Sequence, residues 1–164
     1  MHEPLWMAIE DNDLAGATRF LDLNEIEEAN IYDANGQSML HKAAQLGQTE
    51  VLMLLLERTG SKVDLVNAHL ATPLHVACRS DKENVVKFLI GCGVDANVQD
   101  EHGQTPVLVS CIHGYTTIVQ LLIESSIAGH LPEPIEVDMA DHRGLTPLNC
   151  AAIKGDFELV KMLI

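Results

Sequence analysis

Aromatic side chains are few: three phenylalanines, two tyrosines and one tryptophan make up 4% of the 164 residues. A core built without them is assembled from Leu, Val, Ile and Ala, which suits thin aliphatic layers better than one bulky enzyme core. Positive charge is equally short. Ten Lys and Arg face 24 Asp and Glu, a formal net charge of −14. Nucleic-acid binding needs a basic footprint to neutralise phosphate, so that class is excluded. Adhesion to anionic lipid is excluded on the same ground. The charge points instead to a protein or peptide partner of basic or mixed charge. No purely apolar run exceeds Val51–Leu56, against the roughly 20 residues a membrane-spanning helix needs. Direct membrane contact is therefore not expected.

Four cysteines, Cys78, Cys92, Cys111 and Cys150, form no CxxC and no Cys-His cluster. A zinc site has no support, and a reducing compartment fits. Met1–Asp11 carry no basic stretch followed by an apolar one, so no secretory signal is expected. The cytoplasm is the expected location, with the nucleus left open. The sequence contains no GxSxG elbow, no Walker loop, no GxGxxG and no HExxH, the short motifs that announce common catalytic chemistries. The carboxylates are expected at solvent-facing positions with no shared pocket. Catalytic residues, cofactors and metal ligands are therefore all expected to be absent, and the chain is not expected to be an enzyme. What is present, 47% apolar and 21% charged residues, is the composition of a folded chain.

Self-comparison is the most informative step. Four segments align: Gln37–Ala44, Ala71–Cys78, Gln104–Cys111 and Leu145–Ala152. Their Ser or Thr residues stand at 38, 72, 105 and 146, spaced by 34, 33 and 41. A degenerate earlier copy begins at Pro4, 35 residues before Met39. Ser38, Thr72, Thr105 and Thr146 are expected N-caps, each accepting an amide hydrogen of the first helical turn. Pro73, Pro106 and Pro147 follow at the first helical position, where a missing N–H is harmless. The short helices are expected to end near Gly47, Asp81, Gly114 and Gly155. Second helices are expected over Glu50–Leu56, Glu83–Ile90, Thr117–Ile123 and Glu158–Ile164. A polar turn follows each pair, opened by Asp33, Asp100 or Asp141 and containing Gly36, Gly103 or Gly144. One copy departs, with Asn67 and Leu70 at those places, and Leu70 is expected in a strained turn or a changed turn type.

The D-x-x-G-x-T-P-L-H-x-A-A-x-x-G pattern at this spacing resembles the ankyrin repeat, and the resemblance covers nearly the whole chain. It implies an all-α repeat solenoid: helix-turn-helix units, each preceded by a β-turn finger, stacked because none buries its apolar face alone. Residues 1–164 then form one domain, with repeats at about 1–32, 33–66, 67–99, 100–140 and an incomplete 141–164. The fourth carries an inserted loop over 125–136, read either as a binding element or as an insertion packed on its own stack. The resemblance also implies a protein-protein interaction module, monomeric as a segment, that binds on a concave face of finger tips and first helices. Mapped here, that face comprises Asn35, Gln37, His69, His102, Gln104, His142, Arg143 and Leu145 from fingers. The helices add Gln45, Leu46, Arg79, Ile112, His113, Ile153 and Lys154. Leu46, Ile112, Leu145 and Ile153 form its expected apolar stripe. The alternative is a spacer or tether inside a longer array, in a scaffold, channel or cytoskeletal adaptor. The last helix, with Leu159, Val160, Leu163 and Ile164, leads us to expect an excerpt of a longer protein.

His41 and His75 occupy the T-P-L-H position, where the resemblance implies that histidine ties neighbouring turns by hydrogen bonds. Cys78 and Cys111 replace the motif's second alanine and are expected to be buried without bridging. Asn97 is expected to bond the finger backbone. With Leu89 and Asp95 it also resembles ankyrin repeats that are substrates of an asparaginyl hydroxylase, so it is a candidate modification site, although Ala96 departs from the usual larger aliphatic.

Overall fold

A computed structural model describes residues 3–23, 32–33 and 36–164, so Asn35 lies outside the described residues. Among the described residues ten helices follow one another as five pairs. Their bounds are α1 Glu3–Glu10 with α2 Leu14–Leu23, α3 Met39–Leu46 with α4 Thr49–Thr59, and α5 Pro73–Arg79 with α6 Glu83–Gly91. Then come α7 Pro106–His113 with α8 Thr116–Ile127, and α9 Pro147–Lys154 with α10 Phe157–Met162.

The first helix of each later pair starts where threonine chemistry dictates. The hydroxyls of Thr72, Thr105 and Thr146 accept the amides of His75, Leu108 and Asn149 at 3.4, 3.3 and 3.2 Å, each satisfying a donor that the helix leaves orphaned. Ser38 breaks the expectation. Its hydroxyl caps no amide and meets Nδ1 of His41 at 2.7 Å instead. Gly47, Gly114 and Gly155 end their helices in the left-handed conformation. The stop of α5 is corrected: Ser80 is its cap, and Asp81 beyond it takes φ +54° without being glycine. Leu70 does sit at φ +55°, the strained turn of the two alternatives. Helices α4 and α8 overrun their expected ends, whereas α10 stops at Met162.

Packing explains why the pairs stack. Among first helices α1 packs on α3, α3 on α5, α5 on α7 and α7 on α9; the second helices repeat this from α2 to α10. Buried residues at equivalent places, Leu40, Leu74 and Val107, join Leu52, Leu55, Leu89, Leu108, Ile118 and Leu122 in one continuous aliphatic core. Each such side chain contributes roughly 2 kcal/mol by leaving water, and each needs a neighbouring pair to cover it. Cys78 and Cys111 fill buried positions as free thiols, with burial pushing both up to about 12. No helix among the described residues is long and apolar enough to cross a membrane.

The inserted segment packs on its own stack. Its first residues are not loop, since α8 runs to Ile127 and Ser125 is buried. Leu131 joins the core, with Ile135 and Val137 half-buried against it, and the amide of Ile135 donates to Oγ of Ser126 at 2.9 Å. Asn97 holds the far end. Its Nδ2 donates to the carbonyl of Pro134 and its Oδ1 accepts the amide of Glu136, both at 2.9 Å. The expected bond from Asn97 to the finger backbone is thus corrected: both polar ends of the carboxamide go to the insertion, which runs within its reach. Asn97→Ala is expected to remove about 1–2 kcal/mol. Hydrogen exchange should then quicken at Glu136 while α7 keeps its protection; unchanged exchange there would show that the clamp holds nothing.

Candidate protein-binding face

Four turns project from the first-helix row, and one device shapes them. In the last three fingers the side-chain oxygen of a single residue accepts two amides. Asn67 Oδ1 takes those of His69 and Ala71 at 2.9 and 3.0 Å. Asp100 Oδ1 takes those of His102 and Gln104 at 2.9 and 3.0 Å. Asp141 Oδ1 takes those of Arg143 and Leu145 at 2.8 and 2.9 Å. In the first finger Asp33 accepts the amide of Gln37 at 2.8 Å. Such side-chain turns are what Asn and Asp favour.

The expectation that all carboxylates face solvent is corrected here, because Asp100 and Asp141 are 3% and 5% exposed. Their second oxygens meet Arg79 at 3.2 Å and Arg143 at 3.0 Å. Burial alone would raise the pKa of Asp141, but the amides of Leu145 and Arg143, with the Arg143 guanidinium, outweigh it and hold the pKa down at about 2. The signal was legible in an acid or amide recurring at one place per repeat.

Adjacent fingers are sewn together by backbone. The amide of Ala68 donates to Gly36, that of Glu101 to His69 and that of His142 to His102, at 3.2, 2.9 and 3.0 Å. Gly103, at φ +76°, lies so close to the next finger that an added Cβ would stand 2.6 Å from the His142 ring. Histidines add a second seam, as the resemblance implied. Nε2 of His41 reaches the carbonyl of Ala71 at 2.8 Å, and Nε2 of His75 that of Gln104 at 3.0 Å. At Nδ1, His75 accepts the amide of Thr72 at 3.1 Å. That leaves the proton of the neutral ring on Nε2, where it donates. Burial pushes His75 down to about 4 and lowers His41 as well. Leu108 occupies this position in the fourth pair, so the α7 seam has no imidazole.

The expected face residues that the structure describes lie on the fingers and first helices. Gln45, Leu46, His69, Arg79, His102, His113, His142, Arg143, Ile153 and Lys154 are exposed, whereas Gln37 and Gln104 are half-buried. Two members of the apolar stripe are not free. Ile112 and Leu145 pack against the core, which leaves Leu46 at 40% and Ile153 at 79% exposure. The mapping placed them by register, and burial depends on what α9 and the last finger cover. Glu101, another finger residue, joins two of the histidines: its Oε1 meets Nδ1 of His69 at 2.7 Å and stands 3.7 Å from Nε2 of His102. Lys154 reaches across to the carbonyl of Ile112 at 2.6 Å, and the His113 ring stacks on Tyr115 with centroids 5.6 Å apart.

Comparison with known proteins agrees with this geometry. The chain is 29% identical over 143 residues to the B-cell lymphoma 3 protein homolog of Mus musculus, covering 85% of this chain and 31% of that protein. It is 34% identical over 132 residues to a putative E3 ubiquitin-protein ligase, XBAT31, of Arabidopsis thaliana, covering 77% and 29%. NF-kappa-B inhibitor alpha of Homo sapiens is 26% identical over 133 residues, covering 79% and 41%. The chain therefore spans 29% to 41% of the length of these three relatives, and 6% of Rabankyrin-5 of Mus musculus. A family model described as ankyrin repeats in three copies matches residues 5–100 and again 81–164. With helix pairs, stapled fingers and histidine seams recurring at the motif's own spacing, this match places the chain in the ankyrin-repeat family.

Proposed function

We propose that residues 1–164 act as one protein-protein interaction domain, binding a partner protein or peptide on the concave face of finger tips and first helices. The observation that carries this reading is the construction of that face. Backbone bonds and buried Asx staples hold the fingers in fixed positions, yet the side chains they present, from His69 to Arg143, point into solvent. A preordered surface loses little entropy on binding, and an ordinary interface needs only about 800 Å² from each side. A relative named as an inhibitor of NF-kappa-B is consistent with protein targets. No catalytic role is proposed for this segment, and a cytoplasmic or nuclear location fits it. A spacer role inside a longer array is the second reading, favoured by matches that cover 31% and 29% of two relatives' lengths.

Ile153 is the probe of choice, since Ile112 packs against the core and Ile112→Asp would disturb folding. Ile153→Asp is expected to lower capture of bound proteins about tenfold or more with an unchanged thermal melt. Quantitative mass spectrometry of proteins retained by wild type and variant reads this directly. Equal retention would remove the face assignment and leave the spacer reading.

A further inference from the structure

The net charge of −14 describes the whole chain and misdescribes this face. The exposed acids lie largely elsewhere, on second helices and links such as Glu50, Glu124, Glu136 and Glu158. On the finger face, Asp100 and Asp141 are buried beneath their fingers with side chains 1% and 0% exposed, while the arginines that meet them, Arg79 and Arg143, are 42% and 73% exposed. Solvent therefore sees the cation of each pair and not the anion. Among the described residues Lys154 meets no carboxylate; its ammonium donates to the carbonyl of Ile112 at the end of α7. Arg79 and Lys154 both approach His113 closely enough to lower its pKa, after burial as the larger cause. Between the last two fingers runs a cleft of about 260 Å³ lined by His102, Gln104, His142 and Arg143, with no acid in its wall. Glu101 is the one exposed acid at the finger tips, and it is already shared by His69 and His102.

Resting on the proposed binding reading, we infer that this face selects an acidic partner segment, one of whose carboxylates enters the cleft between the last two fingers. The guanidinium of Arg143 gives Nε and one terminal nitrogen to Asp141, and its outer donors remain for a planar carboxylate. The imidazoles of His102 and His142 flank that place and can donate ring N–H groups. Lys154, at the end of α9 opposite to the finger that carries Arg143, offers a second cation beside the exposed side chain of Ile153. An extended segment alternating acidic and apolar residues matches this order. The acids of the rest of the chain oppose such a partner at long range. Their effect is screened beyond about 8 Å at physiological salt, whereas direct ion pairs on the face are not. The basic partner expected from net charge averages over surfaces that a bound segment never touches.

The test uses the full chain and two labelled 12-residue peptides at 0.15 M salt, one of repeated Glu-Ser-Leu units and one of Lys-Ser-Leu units. Fluorescence anisotropy is expected to give a Kd for the Glu peptide about tenfold or more below that for the Lys peptide. The double change His142→Glu with Lys154→Glu spares both buried acid pairs, so its thermal melt should match wild type. It is expected to weaken the Glu peptide at least about tenfold. Lys154→Arg alone should preserve binding. Equal affinity for the two peptides, preference for the Lys peptide, or indifference to the double change overturns the inference. If that happens while Ile153→Asp still releases captured proteins, the binding face stands and only its acidic selectivity is lost. If Ile153→Asp also releases nothing, the binding reading falls with it.

Discussion

Asp100→Ala is expected to destabilise the chain by about 3–5 kcal/mol, whereas Asp100→Asn is expected to cost about 1 kcal/mol. The alanine removes the buried acceptor of two finger amides, those of His102 and Gln104. Orphaning a buried donor carries its whole desolvation penalty, so the losses accumulate. Asparagine keeps the oxygen that matters. The preceding finger supplies the natural control, because Asn67 performs the same two-amide staple with no charge. Only the ion pair with half-exposed Arg79 is then lost, and such pairs contribute little. Urea unfolding at pH 7 measures both changes. Equal destabilisation by the two variants would mean that the charge, and not the staple, holds the finger.

Acid is expected to loosen the stack as pH falls from about 6.5 toward 4. Folded His75 titrates near 4, while a histidine in the unfolded chain titrates near 6.5. Between these values the unfolded chain binds a proton that the folded one refuses, so stability rises with pH across the window. The contribution of His75 is whole above about pH 6.5 and drains as pH falls toward 4. The difference corresponds to about 3 kcal/mol, and His41 acts in the same direction. The geometry gives the reason: a proton on Nδ1 would face the amide hydrogen of Thr72 in a site where both residues are fully buried. Asp141, held near 2, acts the same way only below about pH 4.

The control is again inside the molecule. Asn149 stands at the same motif position in the last repeat, where its Oδ1 accepts the amide of Thr146 at 3.3 Å. His75→Asn should therefore keep the cap, lose the tie to Gln104, and flatten the dependence between pH 7 and 4.5. Urea midpoints for both proteins at the two pH values decide it. A slope unchanged by the substitution would place the acid sensitivity in another group.

Much of this molecule was written in its local sequence. Thr-Pro followed by apolar residues starts α5, α7 and α9 because a hydroxyl cap and a fixed φ act within one turn. A spacing near 33 residues names the unit, and an all-α stack follows since one pair cannot bury its own apolar face. The strained turn at Leu70 was legible too, as a short-range departure from the motif. The histidine seam, whose ties reach Ala71 and Gln104 in the next repeat, was implied by the family resemblance. Other features depend on which surface arrives from a distant part of the chain. Nothing local to Asn97 says that it will hold Pro134 and Glu136, because an inserted segment 37 residues away must first fold back to reach it. Ile112 and Ile153 occupy the same register, yet the first is half-covered by the repeat that follows it and the second is exposed. Asp100 and Asp141 read as ordinary surface acids until the turn closes over them and leaves their arginines outside. Composition counts charges without locating them. The sequence by itself determined the repeat, the caps and the class of molecule; the stacking decided which side chains, and which sign of charge, a partner meets.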